Sequence, residues 1–147
     1  MIYFEDFIVG ARMELGTVEV SADEIVEFAR RYDPQPFHID PQRAGESIYG
    51  GLIASGWHTC AMVMRLACDA YLLDSASLGS PGVEKLEWLK PVRPGDRLTA
   101  WRRVLESRPS RSDPRRGSVY ALLEAENQNA ESVLRMHAWG MFRRRPS

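Results

Sequence analysis

The feature that most constrains the fold is one long segment that reads as a helix with almost no polar face. It begins near residue 55 or 56 and runs to about residue 73. Its main apolar stripe contains Ala61, Met64, Cys68, Tyr71 and Leu72. The side of the helix opposite this stripe is rather apolar too. A helix that is hydrophobic nearly all round is usually buried. The rest of the chain must therefore supply a surface that wraps it.

Five segments rich in β-forming residues can supply that surface. They lie at residues 12–20, 83–90, 96–106, 118–126 and 133–142. Turn signals separate the last four, beginning with Pro94-Gly95-Asp96. Because these four strands follow one another directly, a curved antiparallel sheet is the simplest partner for the helix. The sequence predicts an α+β fold in which about five strands wrap around a long central helix.

An amphipathic helix is predicted over residues 21–32. Ser21 and Glu24 have the spacing of a capping box at its start. Apolar residues then recur at helical intervals, at Ile25, Phe28, Ala29 and Tyr32. The residue before Pro34 avoids helical geometry, which ends the helix. Residues 33 to about 54 are expected to form a loop.

Length and charge exclude several classes of protein. The 147 residues suit one domain spanning 1–147. Nineteen basic residues face 20 acidic ones, and the net charge of -1 argues against a general nucleic-acid binder. Only two cysteines occur, too few for a disulfide framework, so free thiols in a reducing compartment are expected.

Neither a membrane span nor a secretory signal is visible. The longest mainly apolar stretch, residues 61–73, contains Arg65 and Asp69 and is too short to cross a bilayer. Glu5 and Asp6 interrupt the start, where a signal peptide would need apolar residues. A cytoplasmic protein without a membrane partner is expected.

The densest polar cluster lies at residues 32–40. Asp33 and His38 are five residues apart, and Pro34 and Pro36 restrict the backbone between them. A carboxylate and an imidazole held in this way suit general acid–base chemistry, because histidine titrates near neutral pH. The alternative is that Asp33 caps a loop and His38 packs against the sheet.

The second cluster lies at residues 50–58, where the central helix begins. Gly51 and Gly56 let a ligand approach the backbone, and the free N–H groups of a helix start can stabilise a developing oxyanion. Ser55 is not in a serine-hydrolase elbow, because residue 53 is isoleucine rather than glycine. The alternative is a glycine-rich entry to a buried helix.

Together the two clusters resemble the signature of the MaoC-like (R-specific) enoyl-CoA hydratases and dehydratases, which have the hot-dog fold. Their pattern is close to D-x-N-P-x-H-x-D, followed about eighteen residues after the histidine by a small-residue helix entry. Residues 86–96 also look like the strand-turn-strand of this family. One departure is Gln35, which stands where the family usually has asparagine. The residues that match are Asp33, Pro36, His38, Asp40 and the pair Ser55-Gly56.

The resemblance implies reversible addition of water to a trans-2-enoyl-CoA, or dehydration of a 3-hydroxyacyl-CoA. Asp33 and His38 would be catalytic, with His38 favoured as the base on water, and the Gly56 N–H would hold the thioester oxygen. Coenzyme A would enter only as part of the substrate, with no metal and no other cofactor. A homodimer, or a larger oligomer built from dimers, would be the assembly. Substrate-binding roles are expected for Gly51, Gln35, Phe37 and Ser55.

Two other functions remain open at this point. A hot-dog thioesterase would more naturally carry an acid early on the central helix, whereas residues 57–64 contain none. A binding module that holds an acyl thioester without turning it over is left open by Gln35. The acyl chain length depends on pocket shape, which side chains such as Phe37, Met62 and Tyr71 are expected to set.

Overall fold

The computed structural model describes all of residues 1–147 and confirms the predicted α+β hot-dog fold. Five antiparallel strands form one sheet in the order β1-β3-β4-β5-β2. The strands are β1 (Arg12–Glu19), β2 (Gly82–Trp88), β3 (Arg97–Pro109), β4 (Arg116–Glu126) and β5 (Ser132–Arg143). The helices are α1 (Ala22–Tyr32), α2 (Pro36–Ile39), α3 (Pro41–Gly45) and α4 (Gly56–Ala67). A single π-helical stretch, Cys68–Leu72, extends α4.

One face of the central helix α4 is buried, and Val63 and Ala67 on it have no exposed surface. The prediction of a helix buried nearly all round was wrong, because Ala61 and Met64 of its predicted apolar stripe are exposed. A helix that is apolar on both sides does not show in its sequence which side packs.

On β3 every second residue faces the core, among them Leu98 and Val104, which are also fully buried. The same alternation turns Arg102 inward, which is unusual for a charged side chain.

Predicted and observed elements differ most between residues 33 and 54. The sequence predicts a loop here, but the segment contains the short helices α2 and α3. Each begins with a proline, which suits the first helical position because its missing N–H would have no partner there. The carboxylate of Asp40 caps α3 by accepting hydrogen bonds from the N–H groups of Gln42 and Arg43.

The start of α1 follows the prediction, since the Ser21 hydroxyl accepts a hydrogen bond of 3.1 Å from the Glu24 N–H. The cysteines Cys60 and Cys68 are free thiols. None of the helices combines the length and hydropathy needed to cross a membrane. The assignment of residues 1–147 to one domain and the cytoplasmic location stay predictions.

Candidate active site

A cavity of about 470 Å³ lies where α2, the first turn of α4 and the end of β2 meet. Five of the residues predicted to be functional line it: Asp33, Gln35, Phe37, His38 and Gly56. Most of the remaining wall is apolar or aromatic. It comprises Tyr49, Ile53, Ala54, Trp57, Thr59, Trp88, Leu89, Lys90, Pro91, Val92 and Val133.

Asp33 stands at the C-terminal end of α1, and both of its carboxylate oxygens are engaged. Oδ1 accepts a hydrogen bond of 2.7 Å from Gln35 Nε2. Oδ2 accepts one of 2.7 Å from the hydroxyl of Ser55, which is itself fully buried. Burial raises the pKa of Asp33, but the two hydrogen bonds and the nearby His38 outweigh burial and hold the pKa below its ordinary value. Asp33 is therefore a carboxylate at neutral pH.

His38 is buried on α2 and is fixed through one ring nitrogen. Nδ1 lies 2.8 Å from the carbonyl oxygen of Ile53. Because a carbonyl oxygen can only accept, Nδ1 carries the hydrogen and donates it. In the neutral ring Nε2 is then the proton acceptor, and it lies 3.3 Å from Asp33 Oδ2. A proton arriving at Nε2 would create an imidazolium beside a carboxylate.

The first turn of α4 presents unpaired donors to the same cavity. The N–H groups of His58 and Thr59 donate to the carbonyl oxygen of Ser55, whereas those of Gly56 and Trp57 have no acceptor within the chain. The segment before the helix is held against α2, because the Ile53 N–H donates a hydrogen bond to the carbonyl oxygen of Phe37. The positive end of the helix dipole therefore faces the space beside Asp33 and His38.

Trp88 from β2 makes glycine necessary at position 56. A Cβ placed on Gly56 would lie 2.3 Å from the nearest atom of the Trp88 indole, which is closer than real Cβ contacts come. The indole also packs edge-to-face on Trp57, with ring centroids 5.0 Å apart. One side of the cavity is thus a tryptophan laid directly over the helix start.

Two residues expected to bind substrate do not line the cavity. Ser55 has no exposed surface, and its hydroxyl supports Asp33 instead. Gly51 lies outside the lining, near the Arg93 guanidinium. Neither Met62 nor Tyr71 reaches this cavity. Their contacts with substrate stay predictions, because the distance along the chain does not show which way a residue on a buried helix faces.

His58 lies outside the cavity and packs against α1. His58 stacks on Phe28, with ring centroids 4.9 Å apart, and burial lowers its pKa against the opposing effect of Glu24. The chain contains no cluster of three or more His, Cys, Asp or Glu side chains placed to hold a metal ion.

Sequence reasoning missed several residues of the cavity wall. Trp88 and the segment 89–92 read as a strand and turn, but nothing in the local pattern places them over the start of a helix thirty residues earlier. Tyr49 and Val133 likewise reach the cavity through the fold. The one signal in the sequence was that large aromatic side chains such as Trp57 and Trp88 are numerous for so small a domain.

Comparison with known proteins gives a consistent result. A sequence model described as the MaoC like domain matches residues 8–126, which include both polar clusters. A MaoC-like dehydratase of known structure from Rhodospirillum rubrum is 41% identical over 100% of both chains, with a TM-score of 0.92. The uncharacterized protein YdeM of Bacillus subtilis is 30% identical over 88% of this chain and 90% of its own. The unliganded R-hydratase PhaJ1 of Pseudomonas aeruginosa is 25% identical over 98% of this chain and 87% of its own, with a TM-score of 0.80.

Proposed function

This chain belongs to the MaoC-like dehydratase family, and we propose that it adds water reversibly to a trans-2-enoyl-CoA or removes it from a 3-hydroxyacyl-CoA. The observation that carries this proposal is the convergence of Asp33, His38 and the unpaired Gly56 N–H on one cavity. Similarity to a dehydratase and to an R-hydratase supports the same reaction class.

The proposed chemistry requires only proton transfer and charge stabilisation. Neutral His38 takes a proton from water through Nε2 while the water oxygen bonds to C3 of the enoyl group. The electron pair of the C2=C3 bond shifts toward the thioester, giving an enolate. The imidazolium then returns a proton to C2, and the ring is neutral again. Asp33 stays ionised, orients the water and stabilises the imidazolium across 3.3 Å.

The enolate oxygen is proposed to bind the Gly56 N–H at the start of α4. This N–H has no acceptor within the chain and lies at the positive end of the helix dipole. Negative charge grows on the thioester oxygen as the reaction proceeds, so the hydrogen bond strengthens toward the transition state. Removing one such donor typically costs about 2.7–4 kcal/mol of barrier lowering.

The assembly is proposed to be a homodimer or a larger oligomer built from dimers. β2 is an edge strand, and it is mostly exposed. Beside the cavity, Trp57 is 57% exposed and Trp88 45% exposed, which is high for tryptophan. A second copy placed along this edge would cover both the strand and the mouth of the cavity. Light scattering on the purified protein measures the mass directly.

The reaction itself is tested with a series of enoyl-CoA substrates from crotonyl-CoA to long chains. Loss of the conjugated enoyl absorbance, with a 3-hydroxyacyl-CoA of defined stereochemistry as product, would support hydration. Release of free CoA thiol without hydration would point to a thioesterase. The first turn of α4 carries no acid, so nothing in the site favours that alternative. Binding without turnover of any member of the series would contradict the proposal.

Replacing Gln35 with alanine is expected to raise the pKa of Asp33 and to lower kcat/KM at neutral pH by about tenfold. The variant loses the hydrogen bond to Asp33 Oδ1, while burial continues to raise the pKa of Asp33. Tenfold is the low end for the loss of a hydrogen bond to a charged group. An NMR titration of the Asp33 carboxyl carbon checks the pKa, and steady-state kinetics checks kcat/KM.

Gln42 supplies a matched control for that experiment. It is an exposed glutamine on α3 whose side chain makes no hydrogen bond, so Gln42→Ala should leave the pKa of Asp33 and kcat/KM unchanged. Gln35→Asn should fall between wild type and alanine, because its amide is one methylene shorter. An unchanged pKa of Asp33 in Gln35→Ala would mean that Asp33 does not need this hydrogen bond.

Replacing Gly56 with alanine is expected to lower kcat for hydration by about 10²-fold. The new Cβ would overlap the Trp88 indole, which must swing away and distort the cavity wall around the Gly56 N–H. Gly45→Ala is the matched control, because a Cβ on this glycine of α3 meets no atom within 4 Å. Steady-state kinetics and thermal melting of both variants separate activity from folding. Wild-type kcat in Gly56→Ala would argue against the oxyanion role.

A further inference from the structure

A second cavity, of about 290 Å³, lies at the opposite end of the central helix. No residue lines both this cavity and the candidate active site. Its wall is largely apolar and includes Met64, Tyr71, Val119, Leu123, Met136 and Phe142. One charged side chain, Arg102, faces this apolar space. Nothing in the proposed reaction uses this region.

Arg102 is nine-tenths buried on the inward face of β3, with a relative exposure of 9%. Its Nε is buried and makes no hydrogen bond. No ion pair of the chain includes it. The guanidinium carbon instead lies 4.4 Å from the ring centre of Tyr71 and 5.1 Å from that of Phe7.

Those aromatic contacts compensate the buried charge only in part. Arginine keeps its proton under all ordinary conditions, so it cannot avoid the free-energy cost of a buried charge by becoming neutral. Burial raises the pKa of the Tyr71 hydroxyl, and the nearby Arg102 opposes this only partly, so the tyrosine is neutral and offers no counter-charge. Cation–π contact is weaker than pairing with an anion. A buried guanidinium without an acidic partner is costly for the folded protein.

We propose that this second cavity binds a small amphipathic carboxylate, with its carboxylate on Arg102 and its apolar body against the surrounding side chains. A guanidinium fork matches the two oxygens of a carboxylate and supplies the missing counter-charge. At roughly 30 Å³ for each water-sized group, the volume suits about ten non-hydrogen atoms. Octanoate has this size and chemistry, and it is the probe for the test.

The test measures octanoate binding to the full-length protein by titration calorimetry. Wild type is expected to bind octanoate, and Arg102→Met is expected to bind it about 10- to 100-fold more weakly. Octan-1-ol, which lacks the charge, should bind wild type and Arg102→Met alike. Arg103→Met is the matched control, since Arg103 is the next residue on the same strand and is exposed. It should bind octanoate as wild type does.

Two further measurements separate this site from the catalytic one and from a folding defect. His38→Ala should keep full octanoate affinity, whereas octanoate binding at the active site would be altered by that change. Without ligand, Arg102→Met should melt at or above the wild-type temperature, because it removes an unpaired buried charge. Octanoate should raise the melting temperature of wild type and not that of Arg102→Met.

Two results would overturn the proposal: no octanoate binding to wild type, or equal binding to Arg102→Met. If wild type binds no octanoate and Arg102→Met has a lower oligomeric mass, the guanidinium instead binds a carboxylate of a second copy. None of these outcomes depends on hydratase turnover, so the second cavity and the proposed reaction can fail independently.

Discussion

Alanine in place of His38 is expected to lower kcat for hydration of the best enoyl-CoA by about 10²–10⁴-fold, the usual contribution of one general acid–base group. In the proposed mechanism Nε2 both removes the proton from water and returns a proton to C2. Asp33 cannot replace it through the whole cycle, because a carboxylate whose pKa is lowered is a weak base and carries no proton to return to C2.

The His38 variant also leaves the Ile53 carbonyl oxygen without its donor, at a cost of about 1–3 kcal/mol. Thermal melting must therefore accompany the kinetics, at a temperature where the variant remains folded. His58→Gln is the matched control, since His58 is equally buried but lies outside the cavity. It should keep kcat within a few-fold of wild type. Folded His38→Ala with wild-type turnover would remove the histidine from the mechanism.

The fold could be predicted because its signals are local and repetitive. Helix α1 follows from one cap and a regular apolar face, and α4 from its lack of a polar side. Once a buried helix and five strands are recognised, few arrangements remain. The short helices α2 and α3 escaped prediction because four or five residues are too few to show periodicity. Their initial prolines were the one local signal.

The candidate site was predictable only where its residues are close in sequence. Asp33, Gln35 and His38 share one short segment, so their spacing suggests an acid–base pair, and its resemblance to a family signature makes that prediction specific. Ser55 is harder to assign, because a hydroxyl at a helix start could bind substrate or support a neighbouring side chain. Its actual partner, Asp33, lies 22 positions earlier, and only the fold brings the two together.

The sequence also gives no sign that Arg102 differs from the other arginines. On the sequence it is one of many arginines, and its neighbour Arg103 looks identical. Strand alternation turns one inward and the other toward solvent, and the register of β3 decides which. The burial of Arg102 without an acidic partner therefore cannot be predicted from composition or from a motif.

Replacing Asp33 with asparagine is expected to lower kcat by about 10²–10⁴-fold with little change in fold. Asparagine has nearly the same shape, and both neighbours can adapt, since the Ser55 hydroxyl can rotate to accept and the Gln35 amide can turn over. What is lost is the negative charge 3.3 Å from His38 Nε2. The imidazolium that must form when water is deprotonated then has no counter-charge. Steady-state kinetics across the substrate series measures the loss.

Asp40→Asn is the control for that substitution, because Asp40 is in the same segment but uses its carboxylate to cap α3. It should change stability and turnover little, because the side-chain oxygen of asparagine can cap α3 as the carboxylate does. The pH dependence of unfolding adds an independent check. Since folding lowers the pKa of Asp33, this group contributes stability at neutral pH that disappears as pH falls through the lowered pKa. Asp33→Asn should lack that contribution and lose less stability on acidification. Turnover near the wild-type rate in the folded variant would show that the carboxylate is not needed, and His38 alone would then have to activate the water.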